Sequence, residues 1–86
     1  MITERTTIDN ITILEDGQMQ VRRADIVERD GVEIARNFHR HVLSPGQDVS
    51  AEDERVRMIA DVIHTPVVIA AFIEAADRAR ARMEGA

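Results

Sequence analysis

Apolar and polar residues alternate along the first half of the chain and recur every three or four positions along the second, which predicts strands followed by helices. The β-branched residues Thr6, Thr7, Ile8, Ile11, Thr12 and Ile13 come first, with Ile11 and Ile13 set against Asn10 and Thr12. Glu15-Asp16-Gly17-Gln18 reads as a turn, because Asp-Gly supplies the positive φ that a tight hairpin needs. Met19 and Val21 then alternate with Gln20 and Arg22, until the apolar phase slips and Ala24 and Ile26 take it over. A β-bulge or bend near Arg23-Ala24 is the expected cause. Asp30-Gly31 closes a second hairpin. The third strand, Val32 to Leu43, puts Ile34, Phe38 and Val42 on one face and Glu33, Ala35, Asn37, His39 and His41 on the other. Three strands and two tight turns make an antiparallel β-meander over residues 3–43.

Ser44-Pro45-Gly46 ends the strand. Ser50 reads as an N-cap, followed by Glu52, Asp53 and Glu54, acids that suit the positive end of a helix dipole. Val56, Ile59, Ala60 and Ile63 recur at helical spacing, so a first helix is expected over 51–63. Thr65 is a second N-cap with Pro66 at the first helical position, and a second helix runs to about Glu84 with Ile69, Phe72, Ile73, Ala76 and Met83 as its stripe. From Val67 to Ile73 that helix is apolar on every side, and such a helix needs burial on two sides.

The fold class is therefore α+β: one domain over 1–86, a three-stranded antiparallel β-meander (3–43) followed by two α-helices (51–84) packed on one face. The expected core is Ile11, Ile13, Val21, Ile26, Ile34, Phe38, Val42, Val56, Ile59, Ile63, Ile69, Phe72 and Ile73. A chain of this length buries only about 60–65% of the surface its unfolded form exposes, and such domains usually need a disulfide, a metal or a partner subunit. There is no Cys, Trp or Tyr and only two Phe. A homo-oligomer is the expected remedy, with Val67, Val68 and Ala71 at or near the seam.

Charge narrows the partners. The net charge of −5 argues against non-specific nucleic-acid binding. All eleven basic residues are Arg, which fits codon bias in a GC-rich genome and, secondarily, a preference for bidentate contacts with carboxylate or phosphate. Met1-Ile2-Thr3-Glu4-Arg5 lacks the apolar core of a signal peptide, and the run from Pro66 to Ile73 is too short to span a bilayer. No membrane partner is expected, and the place expected for the chain is the cytoplasm or a particle.

The residues with most chemical capacity lie together in Phe38-His39-Arg40-His41-Val42-Leu43-Ser44-Pro45-Gly46. Two residues apart on a strand, His39 and His41 point the same way and are able to share an ion, with Asp48, His64 or a residue of another subunit as a third ligand. Two histidines on a solvated strand face are common without metal, so no metal or other cofactor is assigned. No Gly-x-Ser-x-Gly elbow is present, Ser44 and Ser50 have turn and cap roles, and catalysis is not the favoured reading. Anion binding is better supported. Arg40, His39 and His41 adjoin the Pro45-Gly46 turn, and Arg22, Arg23 and Arg36 come from neighbouring positions in the sheet. The candidate ligand-binding set is Arg22, Arg36, His39, Arg40 and His41. The bland alternative is that these arginines pair with Glu28, Asp30 and Glu33.

The order of segments resembles a group of small bacteriophage proteins. An Arg-Thr-Thr-Ile-Asp start, Glu-Asp-Gly and Arg-Asp-Gly turns and His-Arg-His-Val-Leu-Ser-Pro-Gly-Gln-Asp-Val-Ser carry the likeness, continued by His64-Thr65-Pro66-Val67-Val68. The chain departs from that pattern at His64, where the group has Trp, and at Val67, where it has Glu. The resemblance implies a phage or prophage origin, often beside late or tail genes, and carries no activity with it. Together these features favour a non-enzymatic phage accessory protein that holds an anionic partner. A small phosphorylated ligand, such as a nucleotide signal of host defence that the protein sequesters, fits such a partner, as does another phage or host protein. The alternative is a structural or tail-associated virion component that mediates protein–protein contacts.

Overall fold

In the computed structural model, which describes residues 1–84, strands β1 (Ile2–Ile13), β2 (Met19–Arg29) and β3 (Val32–Leu43) form one sheet in the order β1-β2-β3. Both neighbouring pairs are antiparallel. Helices α1 (Glu54–Ile63) and α2 (Pro66–Glu84) follow, which is the α+β layout expected from the patterning. Each hairpin is closed by its Asp-Gly pair. In the first, the Leu14 N–H donates to Gln18 O at 2.8 Å and the Asp16 carboxylate accepts the Gln18 N–H at 3.1 Å. In the second, Asp30 and Gly31 both have positive φ (52° and 83°), the type I′ geometry that matches strand twist.

The bulge falls on a different strand from the one expected. Ile8 pairs with Arg23 and Asn10 with Arg22, so the extra residue is Asp9 on β1, and β2 is regular through Arg23-Ala24. The apolar phase of β2 slips because the strand is buried on different faces at its two ends. Met19 and Val21 face the helices, Ala24 and Ile26 face the opposite, outer side, and all four are at most 1% exposed. Ala24 lies between Thr7 and Phe38 across the ladder, and Ile26 between Arg5 and Arg36, whose long stems shield apolar surface.

The main core joins Met19, Val21 and Leu43 of the sheet to Val56 and Ala60 of α1, edged by Ile8, Ile11, Val49, Ile59 and Ile63. Of the expected core, Val21, Ile26 and Val56 are buried, while Ile11, Ile59, Ile63, Ile69 and Phe72 are half-buried. Ile13, Ile34, Phe38, Val42 and Ile73 are exposed, a correction with two causes: among the described residues no layer covers the outer side of β3 or the far side of α2, and Ile13 sits at the end of the edge strand β1.

The first helix starts later than expected, at Glu54, with Asp53 rather than Ser50 as N-cap. The Ser50 N–H is taken by Asp48 Oδ1 at 2.9 Å, and the Glu52 N–H by Val49 O at 3.0 Å, so two turns precede the helix. Asp53 Oδ1 then accepts the Arg55 N–H at 2.9 Å. Thr65 does cap α2, accepting the Val68 N–H at 3.3 Å.

α2 departs from α1 at 83° and has no buried residue. Its first turn sits on two turns of the sheet. A Cβ placed on Gly17 would lie 2.7 Å from Val68 Cγ1, and one on Gly46 would lie 3.1 Å from Ile69 Cγ2, so glycine permits both approaches. His64 Nε2, 2.7 Å from Gly17 O, ties the helix junction to the same turn. Beyond that seat the helix projects. Among the described residues, no single helix is long and apolar enough to cross a membrane. The radius of gyration is 17.4 Å, against about 12 Å for a compact chain of this length.

Candidate functional site

The strand alternation of β2 and β3 divides the five candidate ligand-binding residues between two faces. Arg22, Arg36 and Arg40 point to the outer face, and His39 and His41 to the helix side. They do not converge within one protomer.

On the outer face the organising residue is Asp9, which the bulge frees from the ladder. Arg22 donates to it through Nε and Nη2, both at 2.8 Å, and Arg36 Nη1 lies 3.6 Å from the same carboxylate. Hydrogen bonding from Arg22 holds the Asp9 carboxyl below its ordinary pKa against the opposing effect of burial, with the charges of Arg22 and Arg36 adding to the shift. Arg36 is also forked to Glu33 at 2.7 and 3.0 Å, and this pairing raises its pKa. The Arg22 guanidinium lies over the Phe38 ring, 4.4 Å from its centroid. Two of the three outer cations are therefore already neutralised.

Arg40 is different. It has no ion-pair partner among the described residues. It stands opposite Arg22 in the register and lines, with Asn10, Thr12, Gln20, Arg22 and Val42, an open cleft of about 380 Å³.

On the helix side, His39 Nε2 lies 3.1 Å from Asp25 Oδ2, and Arg23 and Thr6 also donate to that carboxylate. Burial pushes the Asp25 pKa up, but Arg23, Thr6 and His39 together outweigh it and leave it lowered. His41 Nε2 is 2.6 Å from Glu52 Oε1, which joins β3 to the turn before α1. The two imidazoles thus serve two different carboxylates. Among the described residues no three His, Asp or Glu side chains gather as metal ligands. His41 is suited to fastening the loop 44–53 to the sheet, and His39 to tying β3 to β2.

Of the three candidate seam residues, Val67 is 79% exposed, Ala71 is exposed, and Val68 is half-buried against Gly17. Val68 and Ala71 also line a largely apolar groove of about 510 Å³ between α2 and the β1–β2 turn, with Glu15 and Asp16 on its lip. Sequence reasoning missed two features. One is Asp9 as the hub of the outer face, which the three-residue spacing of Ile8 and Ile11 signals. The other is the groove, which depends on the docking of α2 and has no local signature. No family model, curated protein or solved structure matches this chain.

Proposed function

We propose that the protein is a non-enzymatic assembly subunit that works as a homo-oligomer and mediates protein–protein contacts, of the kind a structural or tail-associated virion component makes. The observation that carries this reading is surface. The chain exposes 6281 Å², whereas a compact folded monomer of this mass exposes about 5,100 Å². The excess, roughly 1,200 Å², is what one protomer contributes to an obligate interface. It is also apolar in the right places: Val32, Ile34, Phe38 and Val42 on β3, and Val67, Ile73 and Met83 on α2, are all exposed. Light scattering on the purified protein tests it. A mass that is a multiple of 9.7 kDa at micromolar concentration is expected, and a monomer refutes the reading.

Arg40, which has no ion-pair partner among the described residues and lines an open cleft, favours a second reading, that the oligomer holds an anionic ligand such as a phosphorylated small molecule. A thermal-shift screen against phosphate, nucleotides and cyclic dinucleotides tests it. A ligand present at about 100 times its dissociation constant stabilises by about 2.7 kcal/mol. A selective shift of that size, lost in Arg40→Ala, supports sequestration, and no shift with any of these anions refutes it.

A further inference from the structure

The groove between α2 and the β1–β2 turn has a specific vacancy. The apolar stripe of α2 starts against its own protomer, with Val68 on Gly17 and Ile69 on Gly46. It continues at helical spacing through Phe72, Ala76 and Ala79 to Met83, which is 81% exposed. Among the described residues nothing covers the second half, which is exposed throughout. Ile69, Phe72, Ala76, Ala79 and Met83 alternate spacings of three and four, the seam pattern of paired helices, and Ala75, Ala76 and Ala79 allow close helix approach.

We propose that α2 of a second copy lies antiparallel in this groove, the two helices crossing about Ala75 and Ala76 to form a twofold dimer. The inference rests on the homo-oligomer reading above and names its interface. Charge complementarity selects the partner. The lip of the groove is acidic, Glu15 and Asp16, while at the projecting end of α2 Arg78 and Arg80 are paired with Glu74 and Asp77 and Arg82 has no ion-pair partner among the described residues. Antiparallel crossing at Ala75/Ala76 sets position 82 of one helix beside position 69 of the other, next to the Gly17 turn, and so brings the partner's Arg82 to the acidic lip. Twofold symmetry makes this happen twice. The excess surface of about 1,200 Å² per chain is of the size that such an isologous interface buries. Parallel pairing, by contrast, sets the partner's Arg82 beside position 82, about 20 Å along the helix from the acidic lip.

A cysteine-free chain makes the test direct. The full chain carrying Ala76→Cys is oxidised at micromolar concentration, with Val62→Cys on the exposed side of α1 as the control. A disulfide requires Cα atoms about 4.4–6.8 Å apart, so Ala76→Cys is expected to give a covalent dimer and Val62→Cys is not. Charge reversal provides the second arm. Glu15→Arg and Arg82→Glu are each expected to weaken dimerisation about tenfold, from two symmetry-related pairs of ordinary exposed strength, and the double variant to restore it. A native protein that is oligomeric, yet shows neither the Ala76→Cys cross-link nor the rescue, overturns this interface and leaves the homo-oligomer reading intact. A monomeric native protein overturns both.

Discussion

The seating of α2 on the first hairpin can be tested with two glycines. Gly17 and Gly31 both occupy hairpin turns at similar positive φ, 93° and 83°. An alanine at either position meets the same kind of backbone penalty, about 1–2 kcal/mol for an L-residue forced to positive φ. Their surroundings differ. A Cβ at Gly31 has no heavy atom within 4 Å, whereas at Gly17 it lies 2.7 Å from Val68 Cγ1 and 3.1 Å from Pro45 Cγ. Val68 is β-branched and stiff at χ1 in a helix, so the methyl cannot swing away and α2 itself must move. Overpacking of that kind costs about 1–3 kcal/mol. Gly17→Ala is therefore expected to lose about 1–3 kcal/mol more than Gly31→Ala, a further fall in Tm of at least 4 °C at this chain length. Thermal melts of both variants at one fixed protein concentration measure the difference, since an oligomer's Tm depends on concentration. Equal losses in the two variants would refute the docking of Val68 on the hairpin turn, and with it the groove.

The remaining predictions concern the core and the outer face. Val56→Ala, at a fully buried position of α1, is expected to cost about 2 kcal/mol, whereas Val62→Ala, 74% exposed on the same helix, is expected to stay within about 0.5 kcal/mol; denaturant melts that fail to separate the two refute the assigned face of α1. Asp9 has a lowered pKa in the folded protein, so its stabilisation is complete above the ordinary carboxylate value of about 3.9 and is lost as pH falls through the lowered one. Asp9→Asn is accordingly expected to be less stable than the native chain at pH 7 and to approach it in acid. Asp16, Asp25, Glu33 and Asp48, also lowered, still destabilise both proteins there. Stability–pH curves that run parallel refute the role given to Asp9.

Local rules carried most of the fold. Each Asp-Gly pair specifies a hairpin almost by itself, and Thr65-Pro66 specifies a helix start, because both act through one or two backbone dihedrals. What failed was the assignment of cause where two effects share one signature. A phase slip from Met19 and Val21 to Ala24 and Ile26 arises either from a bulge in that strand or from burial on opposite faces at its two ends. Only the neighbouring strands decide between these. Ser50 failed as a cap because the chain after it turns, with the Glu52 N–H on Val49 O, and Asp53, closer to the apolar periodicity, caps the helix. Burial of Phe38 and Val42 was inferred from an alternation that is real, whereas Ile34 is the extra residue of a second bulge, on β3 between Glu33 and Ala35. Alternation, however, identifies a face and not whether anything covers it.

The candidate site was legible as a set of residue types but not as a set of free charges. With sixteen carboxylates against eleven arginines, an arginine in this chain meets a carboxylate more readily than a ligand. Arg22, Arg23 and Arg36 do so, with Asp9, Asp25 and Glu33. Their planar, bidentate geometry, which in the sequence hints at phosphate recognition, serves to hold the sheet's polar surfaces together. Arg40, like Arg29, Arg55, Arg57 and Arg82, has no ion pair among the described residues, but its position in the sheet sets it apart. The register sets it directly across from Arg22, and like charges opposite one another in a sheet destabilise it. Asp9 offsets Arg22 from the β1 side, while Arg40, on the free edge strand, has Asn10, Thr12 and Gln20 around its cleft and no carboxylate. Among the described residues no carboxylate pairs with Arg40, so its exposed guanidinium is open to an anion from outside the protomer. It follows that Arg40→Ala should relieve the cross-strand repulsion and leave the isolated fold at least as stable, so that any loss it causes is a loss of binding.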